Sequence, residues 1–149
     1  MAVWIETARS ENREALLFLL EQAHLLTDDL PPELSDFIIA KNSDAIIGIA
    51  GLERFGSVAL LRSVAVDPQH QGKRIGQQLV NRLLETAQAT GLTDVYLMTT
   101  GAGAYFERYG FQSVDRQSVP MVIQRTRQFS ELCPSSAVVM KKMLKSNDV

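Results

Sequence analysis

The stretch Val64-Ala65-Val66-Asp67-Pro68-Gln69-His70-Gln71-Gly72-Lys73-Arg74-Ile75-Gly76 changes its period in the middle. Up to Val66 it completes an apolar run that begins at Val58, as a strand does, and Asp67-Pro68 stops the run. From Ile75 the apolar positions are Ile75, Leu79, Val80, Leu83, Leu84 and Ala87, one face of a helix that Gly91 can cap. A strand, a short loop with glycines and a helix thus follow one another, and the first helical turn carries no acidic residue. Such a helix start offers N–H groups without intrahelical partners and the positive end of a dipole, which suits an anion. Lys73 and Arg74 add positive charge there. An ordinary strand-to-helix connection with a solvated basic pair would use the same residue types. The spacing matches neither G-x-x-x-x-G-K-[ST] nor the three glycines of the dinucleotide pattern.

Before this stretch, residues 3–7 read as a strand and Ser10 as the N-cap of a helix through Ala15, Leu16, Leu19, Leu20 and Ala23. Leu30-Pro31-Pro32 breaks the chain, and a short turn or helix around Glu33 follows. Residues 37–40 and 45–52 read as hairpin strands around an Asn42-Ser43-Asp44 turn, with Phe55-Gly56-Ser57 as the next turn. After Gly91 the pattern predicts a strand at 95–98, a short helix at 102–109 closed by Gly110, and a strand at 111–115. One helix is expected over 119–132, with Pro120 in its first turn, and a last strand from 137–140. This order predicts a mixed α/β (α+β) fold, a single twisted mixed sheet flanked by helices. The expected organisation is one domain, with a folded core over 1–144 and a polar tail over 145–149.

Composition narrows the function classes. The 149 residues, 46% hydrophobic and 21% charged, suit one globular domain that needs no covalent staple. A net charge of -2 offers no broad phosphate-neutralising surface, so nucleic acid is not an expected partner. A single cysteine, Cys133, excludes an intrachain disulfide and a cysteine-rich metal site, and no metal is expected. No apolar run reaches membrane-spanning length and the start lacks signal-peptide features, so a cytoplasmic protein without membrane attachment is expected.

Gln71, Arg74 and Gly76 fall on the three defined positions of [QR]-x-x-G-x-[GA], the pyrophosphate loop of the GNAT family of N-acetyltransferases, with Arg74 where a glycine is usual. The strand 60–68 resembles the family's fourth strand, and Ala104-Tyr105-Phe106-Glu107-Arg108-Tyr109-Gly110-Phe111 resembles its helix ending in Gly-Phe. The order of elements is similar to that family over nearly the whole chain. Leu61 to Val66, Thr99-Thr100 and the segment 129–137 further resemble the small arsenic-resistance N-acetyltransferases, which are similar to the acetyltransferase domain of N-acetylglutamate synthase. The resemblance implies splayed central strands and acetyl-CoA as cosubstrate. It implies coenzyme contacts from Val64, Ala65, Val66, Gln71, Gly72, Lys73, Arg74, Ile75, Gly76, Thr99 and Phe106. It also implies a small acidic amine acceptor, an amino acid or an organoarsenical. The alternatives are glutamate acetylation in arginine synthesis and a non-catalytic acetyl-CoA-binding module; a homodimer is compatible with either.

Acetyl transfer to an amine needs a proton acceptor, a donor to the thioester oxygen and support for the departing thiolate. Many family members supply an acid from a Tyr four residues before the Gly of Gly-Phe; here that residue is Phe106, which has no proton to give. Coenzyme A thiolate is a moderately good leaving group, which lets transfer proceed without an acid. Tyr105 and Tyr109 point about 100° and 300° from Phe106 on a helix and are expected to pack, with one hydroxyl at the surface. Glu53 is a weak candidate proton relay, the alternative being an exposed strand-end carboxylate. Arg62 lies in an apolar run, where an unpaired charge is costly. It is expected either to clamp the acceptor's acidic group or to pair with an internal Glu or Asp. Arg127 is a second acceptor-binding candidate, alternating with Arg125. His70 reads as a loop residue, His24 as a cation at a helix end, and Cys133 as buried and inert.

Overall fold

The computed structural model describes residues 3–25, 27, 29–43, 45–131 and 137–144. Its strands are β1 (Val3–Thr7), β2 (Phe37–Asn42), β3 (Ala45–Phe55), β4 (Val58–Val66), β5 (Asp94–Thr99), β6 (Gln112–Val114) and β7 (Val138–Met143). Its helices are α1 (Arg13–Gln22), α2 (Ile75–Ala89), α3 (Gly103–Glu107), α4 (Met121–Gln124) and α5 (Arg127–Glu131). The strands form one mixed seven-stranded sheet in the order β1-β2-β3-β4-β5-β7-β6. The expected α/β class and helix-flanked mixed sheet are observed. Cys133 and the tail over 145–149 lie outside the described residues.

The chain divides into two compact units, Met1–Leu52 with Ser63–Leu84, and Glu53–Arg62 with Glu85–Val149. In the first, β1, β2 and β3 pair antiparallel, with a register shift between Ala40 and Lys41. Leu16, Leu19 and Leu20 of α1 pack with Leu30, Leu34, Phe37, Ile39 and Ile49. The Phe37 ring lies over Gly51, where any Cβ would come within 2.4 Å of it. Ile75 and Leu79 of α2 close on Gly48, where an added Cβ would stand 2.9 Å from Leu79 Cδ1. A side chain at Gly48 would therefore have to displace the Leu79 side chain at the packed face of α2.

In the second unit β4 pairs parallel with β5 through Val58↔Asp94, Ala59↔Val95 and Leu60↔Tyr96, and both strands run on past that ladder. β7 pairs antiparallel with β5 and with β6. Val119, Ile123 and Phe129 pack with Leu60, Tyr96 and Val139.

Three local expectations need correction. The helix expected over 119–132 is two short helices, because Thr126 intervenes: its hydroxyl donates to Ile123 O at 2.7 Å and accepts from Phe129 N–H at 3.1 Å. Ser10 does not cap α1; it opens a 3-10 turn over Ser10–Asn12, and Asn12 Oδ1 accepts from Arg9 N–H at 2.8 Å. Asn42 belongs to β2 rather than to the turn. His24 stands at the end of α1, as expected, and takes φ 58 there, with Leu25 N–H bonded to Leu20 O at 2.9 Å, the closure that a glycine usually permits.

Candidate functional site

β4 leads directly into the anion loop, all within the first unit from Ser63 onward. Ser63 holds φ 60 in mid-strand, which interrupts the alternation expected of an extended strand. Asp67 N–H bonds Ile47 O at 2.8 Å, and Asp67 Oδ1 accepts from Gln69 N–H at 2.9 Å, capping the 3-10 turn Pro68–His70. Gln71 Nε2 donates back to Val66 O at 3.3 Å. Gly72 takes φ 85 and Arg74 takes φ 63, so the loop turns twice through the left-handed region.

The Arg74 carbonyl accepts from Gln78 N–H at 3.1 Å, so Arg74 stands as N-cap and α2 begins at Ile75. The N–H groups of the next residues have no acceptor inside the helix. A 15-residue helix with no acid in its first turn, preceded by exposed Lys73 and Arg74, is electrostatically suited to a phosphate. Gln71 to Gly76 are thus brought together in one loop, and Val64 to Val66 lead into it.

The second unit holds the other candidates. Glu53 near the end of β3 and Arg62 on β4 form an ion pair between Oε1 and Nη1, with the Arg62 side chain 1% exposed and that of Glu53 24% exposed. The internal pair expected as one alternative for Arg62 is present, and its partner is Glu53, the candidate proton relay. A guanidinium at this depth would be costly without a carboxylate, and the Gly56–Ser57 turn between β3 and β4 puts one within reach.

Thr99 Oγ1 accepts from Ala102 N–H at 3.0 Å and Gly101 N–H at 3.4 Å, shaping the entry to α3. Phe106 on α3 packs edge-on against Tyr105 and Phe111, with ring centres 5.1 and 6.0 Å away. Tyr109 donates to the Tyr105 hydroxyl at 2.8 Å. Burial first, and that hydrogen bond second, push the Tyr109 phenol well above its ordinary value. Both tyrosines are half-buried and share one hydrogen bond, where packing and a surface hydroxyl were expected. Arg127 opens α5 and is exposed, as is Arg125.

Residues 33–113, more than half the chain, match the model of the acetyltransferase (GNAT) domain. The chain belongs to the GNAT acetyltransferase family. The matched region contains the anion loop, Glu53 and Arg62; α4, α5 and β7 lie beyond it. Amino-acid acetyltransferases are similar: that of Aeromonas salmonicida is 29% identical over 100 residues, 66% of this chain and 23% of its own. The Edwardsiella ictaluri protein of that name is 30% identical over 115 residues, 71% of this chain and 25% of its own. The chain therefore spans about a quarter of the length of these relatives. Among solved structures, N-acetylglutamate synthase from Neisseria gonorrhoeae, crystallised with coenzyme A and N-acetyl-glutamate, superposes with a TM-score of 0.80 at 22% identity, over 97% of this chain and 36% of that one. A Mycobacterium tuberculosis protein in complex with CoA gives 0.81 at 24% identity, over 95% and 99%. These likenesses establish the GNAT fold.

Among the described residues no group of three or more His, Cys, Asp or Glu side chains could hold a metal ion, and no helix is long and apolar enough to cross a membrane.

Sequence reasoning missed Asn42, which is buried and lies 3.2 Å from His70 Nε2. The register shift between Ala40 and Lys41 reverses which residues face inward, and nothing in the local pattern announces it.

Proposed function

We propose that this domain transfers the acetyl group of acetyl-CoA to the amine of a small acidic acceptor of the amino-acid class. The observation that supports the proposal is the loop over residues 71–76, whose two left-handed residues and acid-free helix start suit a pyrophosphate. The edge of β4 from Val64 to Val66 would run beside the pantetheine arm. The amino-acid class is supported by the names of similar proteins.

The attacking amine must reach the carbonyl unprotonated. Glu53 is the carboxylate we assign to accept its proton through water, with Arg62 holding that carboxylate in place. A clamp by Arg62 on the acceptor itself would require the acceptor's carboxylate to displace Glu53. Arg127, exposed at the start of α5, is the cation assigned to the acceptor's acidic group. Phe106 supplies no acid, so the thiolate leaves on the strength of its own acidity.

A panel of amines with free-thiol detection tests the assignment. Glutamate, other acidic amino acids and amino-bearing arsenicals are offered side by side, and acidic amino acids are expected to release thiol fastest. Tight coenzyme binding with no thiol release from any amine would instead mark a non-catalytic acetyl-CoA module.

A further inference from the structure

The sheet ends differently at its two edges. β6 is three residues long, Gln112–Val114, and a 3-10 turn over Arg116–Ser118 follows it closely, so it offers little backbone to a further strand. β1 closes the other edge with five residues, Val3–Thr7, in unbroken register with β2 from Val3↔Asn42 to Thr7↔Ile38. It contains no proline or lysine, the residues that often blunt an exposed edge. Its one charge, Glu6, is already engaged: Oε1 accepts from Trp4 Nε1 at 3.3 Å and pairs with Lys41 Nζ at 3.3 Å. Alternate N–H and C=O groups of β1 point away from β2, and among the described residues no backbone hydrogen bond is made on that side. Trp4, the chain's one tryptophan, is 43% exposed on this edge.

The sequence of β1 is complementary to itself run backwards. A two-fold axis normal to the sheet sets two copies of the strand antiparallel and keeps each face of the sheet continuous. Opposite residues in such a pair share a face, so the axis must pass through a residue rather than between two. Centred on Ile5, it sets Val3 against Thr7, Trp4 against Glu6 and Ile5 against itself, and all five residues find a partner. Centred on Glu6, it opposes two carboxylates; centred on Trp4, it carries Glu6 and Thr7 past the start of the other strand. In the Ile5 register each indole N–H lies across from the carboxylate of Glu6 in the second copy. That is chemically the contact it already makes along its own strand, and no like charges are opposed.

We propose that β1 is a self-association edge, on which a second copy of this chain pairs its own β1 antiparallel about Ile5 and joins the two sheets into one. The proposal stands apart from the coenzyme reading and uses none of its residues. Five paired residues a side make a small interface, so the dimer is expected to form and dissolve with concentration rather than persist at every dilution.

Sedimentation velocity of the full chain from about 1 μM to about 1 mM, with Trp4 fluorescence read on the same samples, tests it. The mass is expected to rise from 16.5 kDa toward twice that value. Trp4 emission should move to shorter wavelength over the same range, as the indole leaves water, and amide hydrogen exchange should slow in residues 3–7. Trp4→Glu sets a carboxylate against Glu6 of the second copy at both ends of the pairing, and should weaken association at least about tenfold. Trp4→Arg meets the same Glu6 with a cation and should associate as the wild type does. A chain that stays at 16.5 kDa throughout overturns the proposal. So does a dimer that Trp4→Glu leaves intact, or one that forms with no change in Trp4 emission or in exchange over residues 3–7, because another face then makes it. Should Trp4→Glu fold poorly, the emission and exchange of the wild type decide the matter without it.

Discussion

The anion loop and the Glu53–Arg62 pair do their work on opposite physical terms. The loop is contiguous in the chain, exposed, and made largely of backbone: its electrostatic character comes from a helix start and two left-handed turns. The pair is made of side chains nine residues apart, and its guanidinium is withdrawn from water. An exposed loop can change side chains at small cost to stability, whereas a buried charge depends on the carboxylate paired with it. The molecule thus contrasts a loop tolerant in folding, proposed above to select its ligand by charge, with a pair demanding in folding.

The most severe test of this contrast is to break the pair. Glu53→Ala leaves the buried guanidinium without its carboxylate and is expected to cost about 3–5 kcal/mol, read as a lower urea midpoint. Arg62→Ala should be similarly destabilising, and Arg62→Lys should recover little, because an ammonium cannot reproduce the fork. The double change Glu53→Leu with Arg62→Met should regain much of the loss, since neither charge is left buried alone. If Arg62→Ala keeps its melting temperature while the acceptor's KM alone rises, Arg62 is an acceptor clamp and the contrast fails.

Next in size is a charge reversal in the loop. Arg74→Glu places a carboxylate where pyrophosphate is expected, so the KM for acetyl-CoA should rise about tenfold with kcat little changed. Stability should hold or improve slightly, because an acid at a helix start is favourable. Loss of stability with unchanged coenzyme KM would mean that the loop is structural.

Smaller again is the effect expected at the tyrosine pair. Tyr105→Phe or Tyr109→Phe removes one hydrogen bond, about 1 kcal/mol, and should leave turnover within about tenfold. A fall of three orders of magnitude with the fold intact would show that the missing acid had moved there. The pH dependence has a definite sign. The raised Tyr109 phenol stays protonated in the folded state after unfolded chains begin to ionise, near pH 10. Its contribution is therefore present below about pH 10 and is lost as pH climbs beyond it, and Tyr109→Phe should remove that part of the alkaline loss.

The same contrast explains what could be read before any coordinates. The loop is written in consecutive residues, so a change of period at Asp67-Pro68 and the basic pair after Gly72 located it. Most strands were likewise visible, because alternation and turn residues are local signals. Arg62 was recognisable as a charge in need of a partner, yet Glu53 became that partner only through the register of a hairpin. Asn42 was hidden by a register shift, and the break at Thr126 by a hydroxyl that substitutes for backbone hydrogen bonds. What escaped was each time a pairing, which periodicity does not encode.

The finest test lies at Arg74, where the side chain and the backbone pull in different directions. At φ 63 the Cβ of a non-glycine residue crowds the backbone, at a cost of about 1–2 kcal/mol. Arg74→Gly, which restores the family's usual residue, removes that strain but gives the unfolded chain more freedom, which takes back about 0.5–1 kcal/mol. The net gain should be about 0.5 kcal/mol, a rise in Tm of about 1–2 °C for a domain of this size. The same change deletes a cation beside the helix start, so the KM for acetyl-CoA should increase about two- to threefold. Stability and affinity are thus expected to move oppositely in a single variant. If both improve, the Arg74 charge takes no part in holding the coenzyme and the cradle is backbone alone. If both fall, the arginine supports the loop through its side chain, and the proposed separation between the tolerant loop and the demanding pair is wrong at this position.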